Sequence, residues 1–183
     1  MSHSSPAAPG RLELVRTFVN TRDIEAGTDA IASVDGLTSW LRQRGLVEAG
    51  AAAGPADLVR ARELREAIRE ALAANHAGGP IPDGAVGRLN DAARSARLSV
   101  ALTPQPGWTS RPMVGGVKGA LGSVLAAVVD SMADGTWPRL KVCVNDACRW
   151  AFYDRSRARS GKWCSMGVCG NRAKQQAWRV RQV

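Results

Sequence analysis

The sequence predicts an α+β fold that is mainly helical: an N-terminal helical domain with one small β-hairpin, then a small C-terminal module containing all four cysteines. Three observations predict it. Apolar residues recur at helical spacing through most of residues 11–135, one short segment alternates with period two, and the cysteines form two matched pairs. We therefore expect a disordered tail at residues 1–10, a mostly helical domain at 11–135 and a separate module at 139–183.

Four helices are predicted in the first half of the chain. Residues 11–22 have an amphipathic pattern, and Asp35 is placed to cap a second helix. The clearest helix opens at Pro55 and ends before Gly78, with Arg and Glu filling the face opposite its apolar stripe. A shorter helix is expected after Pro82.

A hairpin and a fifth helix complete the predicted domain. Leu98, Val100 and Leu102 alternate with small or polar residues, as in a half-buried strand, and residues 108–113 supply its partner. An apolar helix follows Gly115–Gly116. Its glycine-rich start can bind an anion through free backbone amides, but the phosphate-loop spacing is missing and a plain loop is the preferred interpretation.

Several classes of protein are disfavoured by the composition. The longest apolar run falls short of the roughly 18 residues of a membrane span, and the N-terminus lacks the features of a signal peptide. We therefore expect a cytoplasmic protein with no membrane partner. His3 and His76, the two histidines, lie in no catalytic spacing, so we expect no catalytic residues and no enzyme.

The positive charge is confined to the end of the chain. Residues 139–183 carry eleven Lys and Arg and two acidic residues, a local charge of +9, whereas residues 1–138 carry fourteen of each sign. A neutral body with a basic appendage favours binding of a polyanion, and DNA is the expected partner.

The four cysteines follow the pattern C-x4-C-x15-C-x4-C: Cys143, Cys148, Cys164 and Cys169. Paired cysteines on tight turns supply the soft ligands of a tetrahedral zinc site, and four thiolates leave no open coordination position. The spacing therefore predicts one structural Zn²⁺, held by a knuckle, a short ribbon and a helix. The alternative is four buried or disulfide-bonded cysteines.

Within the module, a helix is expected from near Ser165 toward Val180, and Asp154 is expected to brace the preceding loop. Four aromatic residues, Trp150, Phe152, Trp163 and Trp178, are expected to form a small core. The predicted nucleic-acid contacts are the cations of the loop and helix: Arg155, Arg157, Arg159, Lys162, Arg172, Lys174, Arg179 and Arg181. For Arg172, hydrogen bonding to the module's own carbonyls is an equally open interpretation.

The run from Trp163 to Lys174, WCSMGVCGNRAK, resembles the signature of the CGNR zinc-finger family, and Phe152–Ser156 with the first cysteine pair also fits. The N-terminal region resembles the ABATE domain, which usually precedes this finger, in its layout and in the phrase Val19-Asn20-Thr21. The resemblance implies a stress-induced transcriptional regulator in which the four cysteines bind zinc and the finger binds DNA.

The expected function is therefore a zinc-containing, DNA-binding transcriptional regulator. Its N-terminal domain is expected to sense a small-molecule or protein signal, or to form a homodimer. The alternatives are a zinc-stabilised protein-interaction adaptor and an RNA-binding protein. We also expect a chelator to unfold residues 139–183 and leave the helical domain standing.

Overall fold

The computed structural model describes residues 5–104 and 107–181. Six helices and six short strands follow one another along these residues, with a single-turn 3₁₀ helix at Trp137–Arg139 and a π-helical turn at Met166–Gly170. Their bounds are α1 Leu12–Val19, β1 Arg22–Asp23, β2 Thr28–Asp29, α2 Val34–Gln43, α3 Pro55–Ala77, α4 Asp83–Ser95, β3 Ser99–Leu102, β4 Trp108–Arg111, α5 Gly116–Ala133, β5 Leu140–Val142, β6 Ala151–Tyr153 and α6 Asn171–Val180.

The predicted fold class is confirmed, and the strands pair as three separate antiparallel hairpins. The sequence predicts the β3–β4 hairpin, and β5–β6 is the ribbon of the cysteine module. It does not predict the β1–β2 hairpin, because strands of two residues are too short to show a period.

The helix boundaries follow local chemistry. Pro55 is the first residue of α3, the Asp57 carboxylate accepts a 3.0 Å hydrogen bond from the Gly54 amide, and the helix ends at Gly78 with a φ of 66°. The expected cap of α2 was wrong. Ser33 caps that helix by accepting a 3.0 Å hydrogen bond from the Gly36 amide, since its backbone is extended as an N-cap requires.

Two arginines of α3 lie inside the protein, although the sequence places Arg and Glu on the face opposite the apolar stripe. Arg65 is 2% exposed and binds the Asp29 carboxylate through two hydrogen bonds of 2.7 and 2.8 Å. Arg69, also 2% exposed, donates to the Val19 carbonyl at 2.6 Å. Arg65 thus fixes the β1–β2 hairpin to the middle of α3, and Arg69 fixes the end of α1 to the same helix.

Helix α5 is the central core helix. It is long and apolar enough to span a membrane, contrary to the expectation from the sequence, but 61% of it is buried inside the protein. Its buried side chains pack with those of α1, α3 and α4 in one hydrophobic core. Burial by neighbouring helices is the ordinary reason for such a composition.

The expected burial of the β3–β4 hairpin was wrong. Its strands pair as predicted, with Leu102 opposite Trp108, but Val100 is 62% and Leu102 is 87% exposed. The alternating pattern therefore predicts the strand correctly but does not predict that one of its faces is buried.

Two residues of the N-terminal segment, for which the sequence predicts a tail, make hydrogen bonds to the rest of the chain. Ala8 is buried, and its amide donates a 2.7 Å hydrogen bond to the carboxylate of Glu13. Ala7 offers its carbonyl to Arg155 at 2.8 Å. The segment is thus held at Ala7 and Ala8, and residues 1–4 lie outside the described part of the chain.

The C-terminal module shares its core with the helical domain. Leu140, Val142 and Ala151 of the β5–β6 hairpin belong to the same buried cluster as the helices, and β5 packs on α3. Asn20 joins the two parts directly: its amide donates to the Ala151 carbonyl at 2.9 Å, and its carbonyl oxygen accepts from the Ala151 amide at 2.8 Å. The expectation that the module unfolds alone does not fit this packing.

Candidate metal centre

The four cysteines come together as the spacing predicts. All four are buried, and their Sγ atoms lie within 4.8 Å of one another. Cys164 Sγ is 3.6 Å from Cys148 Sγ and 3.7 Å from Cys169 Sγ. Four sulfurs at the usual 2.3 Å from a tetrahedral zinc ion are separated by about 3.8 Å, whereas a disulfide needs about 2.0 Å. The sulfurs therefore have the donor type and spacing of a zinc site.

A tight turn holds the first pair. Cys143 follows β5, and its amide donates to the Trp150 carbonyl at 2.9 Å. Asn145 organises the turn, because its carbonyl accepts from the amides of Cys148 and Arg149 at 2.8 and 2.9 Å. The Asn145 side-chain oxygen also accepts a 3.1 Å hydrogen bond from the Ala147 amide, so the β5–β6 connection fixes the first two ligands.

The π-helical turn Met166–Gly170 places the second pair. It contains Cys169, follows Cys164, and continues directly into α6. The ligands therefore set the direction in which α6 leaves the metal centre.

The proximity of the sulfurs controls their ionisation. Hydrogen bonds from Cys148 and Cys164 lower the pKa of Cys143 to about 2, whereas the hydrogen bond to Cys143 raises the pKa of Cys148 to about 12. The negative charge of one thiolate thus raises the pKa of the neighbouring thiol. A bound cation offsets this repulsion and favours the thiolate form of all four cysteines.

Comparison with known protein families covers both parts of the chain. The model of the ABATE family, described as "Putative stress-induced transcription regulator", matches residues 12–135. The chain belongs to the ABATE family. The model of the CGNR zinc finger matches residues 139–182. A search of curated proteins finds no match.

The architecture is thus an ABATE domain followed by a CGNR zinc finger, as the sequence resemblance implied. The four cysteines of the finger hold one structural zinc ion. Because all four coordination positions are taken by protein sulfur, the zinc ties loops together and offers no site for substrate. The two families are a regulator family and a zinc finger, and neither is described as enzymatic.

The loop between β6 and the second cysteine pair is braced as predicted. Buried Asp154 accepts hydrogen bonds from the amides of Ser156 and Gly161 at 2.9 and 2.7 Å, and from the ammonium of Lys141 at 2.9 Å. Burial alone raises the pKa of Asp154, but these bonds, led by Lys141, outweigh it and hold the pKa well below its ordinary value. Lys141 is buried as well, and sequence reasoning missed its role.

The predicted loop cations are all exposed, with different surroundings. Arg155 donates to the Ala7 carbonyl, so it helps dock the N-terminal segment. Arg157, Arg159 and Lys162 lie with their side chains in solvent. The carbonyl of Arg159 accepts a hydrogen bond from Lys141, which fixes the middle of the loop without using the arginine's charge.

Helix α6 lies on the surface with no buried residue. Arg172, Lys174, Arg179 and Arg181 are exposed along it, and so is Trp178, at 58%, which corrects its expected place in the module core. Arg172 forms an ion pair with Glu25 in the β1–β2 turn. Neither role that the sequence suggests for Arg172 includes this contact, because Glu25 lies 147 residues away.

His76 lies in the last turn of α3, beside the finger. It lines a crevice with Val142, Cys143 and Asp146, and its buried Nδ1 has no hydrogen-bond partner among the residues that the structure describes. Burial and the nearby cations Lys141 and Lys162 lower its pKa. It is not part of the four-sulfur cluster.

Proposed function

We propose that the chain is a cytoplasmic, DNA-binding transcriptional regulator whose CGNR finger contacts the duplex through α6 and the loop 155–162. The observation that carries the proposal is α6 itself, a basic helix with no buried residue. A helix of ten residues is marginal in water without tertiary packing, so a partner surface is its natural stabiliser. The local charge of +9 selects a polyanion.

One face of α6 is better placed for the duplex than the other. Successive residues are turned by about 100°, so Lys174, Trp178 and Arg181 fall on one face and Arg172 on the opposite face. The ion pair with Glu25 turns Arg172 toward the ABATE domain. We therefore assign the contact with DNA to Lys174 and Arg181, while Arg172 positions the helix.

The braced loop supports the same assignment. Its cations Arg157, Arg159 and Lys162 are exposed on a backbone that Asp154 and Lys141 hold in place. Backbone rigidity lowers the entropy cost of phosphate contacts, so these three residues are assigned to phosphates and not to base edges. Arg155 contributes less, since it also holds Ala7.

The test is duplex binding by fluorescence anisotropy over a range of salt concentrations. The double variant Lys174→Gln/Arg181→Gln is expected to lower affinity and to reduce the slope of log K against log salt by about 1.8, or 0.9 for each phosphate that the variant no longer neutralises. The matched control, Arg94→Gln/Arg97→Gln, removes the same charge from exposed positions of the ABATE domain. Equal effects of the two double variants would contradict the assignment.

Exposed Trp178 favours one second candidate, binding of single-stranded RNA. An aromatic ring between two cations suits stacking on unpaired bases, which contributes about 1–3 kcal/mol per base. Under this alternative, Trp178→Ala weakens the binding of single-stranded RNA by about tenfold or more. The binding of duplex DNA changes little. Preferential binding of acidic proteins over both nucleic acids would instead indicate an interaction adaptor.

The ABATE domain is proposed to sense a signal or to form a homodimer. Leu102, Val100 and Trp108 form an exposed apolar stretch on the β3–β4 hairpin, where self-association can be tested. If the hairpin carries a dimer contact, Leu102→Asp lowers the mass seen by analytical ultracentrifugation. If the variant sediments as a dimer like the wild-type chain, the dimer contact does not involve this hairpin.

A further inference from the structure

A cleft of about 200 Å³ opens between α3, α4 and α5 in the ABATE domain. Its wall includes the apolar side chains of Leu64, Ala92 and Leu121, of which Leu64 and Leu121 are buried. Charged and polar groups surround this apolar wall: Arg60, Glu63, Arg88, Asp91, Ser95 and Lys118. An apolar surface with a few convergent polar groups is typical of a small-molecule site.

Most of the surrounding charges already have partners outside the cleft. Ion pairs join Arg60 to Asp57, Arg88 to Glu70 and Asp91 to Arg94. Lys118 and Glu63 differ from them. In the part of the chain that the structure describes, neither has an oppositely charged group within 4.0 Å or a side-chain hydrogen-bond partner. The lining of the cleft thus includes one positive and one negative side chain, both exposed, that form no ion pair with each other or with another described residue.

The position of Lys118 makes a negative ligand group favourable. It lies in the first turn of α5, a turn that has no acidic residue and no side-chain cap. The amino end of a helix carries partial positive charge, so a lysine there is placed against the electrostatic preference of the helix. An anion near Lys118 would satisfy both the lysine and the helix end.

We infer that this cleft binds a small zwitterion, an α-amino acid with an apolar side chain. Lys118 pairs with its carboxylate, Glu63 accepts from its ammonium group, and Leu64 and Leu121 contact its side chain. A ligand with both charges uses the two unpaired groups together, whereas a simple organic acid leaves Glu63 without a partner. The inference rests on the proposed function in one respect, because it supplies the signal that the ABATE domain is proposed to sense.

The experiment measures binding of free amino acids to the zinc-loaded full chain by isothermal titration calorimetry, without DNA. The probes are L-leucine, L-methionine and L-phenylalanine, and at least one is expected to bind saturably. Lys118→Met and Glu63→Gln are each expected to weaken that binding about tenfold, as loss of a charged hydrogen bond does. Arg111→Met and Glu48→Gln make the same charge changes at exposed positions that do not line the cleft, and they serve as controls.

Analogues that lack one charge separate a zwitterion from an organic acid. For leucine these are 4-methylpentanoate, without the ammonium group, and 3-methylbutylamine, without the carboxylate, and both are expected to bind more weakly. Failure of all three amino acids to bind overturns the inference. So does equal binding of the acid analogue together with an unaffected Glu63→Gln variant. If the zinc-loaded chain binds an amino acid but does not bind duplex DNA, the proposed function is refuted and the inference about the cleft stands.

Discussion

Removal of zinc is expected to destabilise the ABATE domain as well as the finger, because the two share a core. Leu140 and Val142 are 0% and 4% exposed, and full burial of such side chains contributes about 1.5–3 kcal/mol each. An isolated two-stranded hairpin is marginal in water, so β5–β6 is expected to undock once the cysteine loops lose their metal. The expected loss is about 3–6 kcal/mol, a large part of the roughly 5–15 kcal/mol that stabilises a typical domain.

Hydrogen exchange read by mass spectrometry can measure this loss. Amides of α3, which packs on β5, are expected to exchange faster after chelation, and the Cys169→Ser variant should behave in the same way without chelator. Returning zinc should restore protection to the wild-type chain and leave the variant unprotected. If α3 kept its full protection while residues 139–181 exchanged freely, the finger would be an independent unit and the reasoning would be refuted.

Three further predictions concern the contacts that join distant parts of the chain. Arg65→Met should cost about 2–4 kcal/mol in urea unfolding, because it leaves the Asp29 carboxylate without its buried partner, whereas Arg60→Met at an exposed pair should cost less than about 1 kcal/mol. Asn20→Ala should cost about 1–3 kcal/mol in the same assay, since the amide and carbonyl of Ala151 are both left without a partner; no change would mean that water replaces the side chain. The third prediction concerns pH. Burial raises the pKa of Asp29, but the hydrogen bonds and charge of Arg65 outweigh it and lower the pKa below its ordinary value. As pH falls through about 4 the unfolded chain binds the proton first and stability decreases, so the stability of Asp29→Asn should vary less with pH over that range.

The parts of the fold that the sequence predicted are those with long or fixed spacings. Helix α3 is marked by Pro55, by Gly78 and by the apolar stripe between them. The metal centre is marked by four ligands of one chemical type at matched spacing, and the chemistry of zinc requires their sulfurs to meet. In both cases the relevant partners are local or are fixed by a shared ligand.

The parts that the sequence did not predict depend on contacts between distant residues. The burial of Arg65 requires Asp29, which lies 36 residues earlier in a strand of two residues. The shared core depends on Leu140 and Val142, which are too few to form a periodic pattern. The pairing of Arg172 with Glu25 likewise depends on the tertiary fold. Helical spacing alone therefore could not predict which face of α6 turns toward the ABATE domain.

The contact between Asn20 and Ala151 also bears on aggregation. β6 is an edge strand, since it pairs only with β5 among the described strands, and the bare edge of a strand is a template for pairing with another chain. The amide group of Asn20 occupies both backbone groups of Ala151 on that edge and acts as a one-residue substitute for a neighbouring strand. Undocking of the finger would uncover this edge. Metal-free protein is therefore expected to self-associate through β6, and zinc supply would set the solubility of the protein as well as its fold.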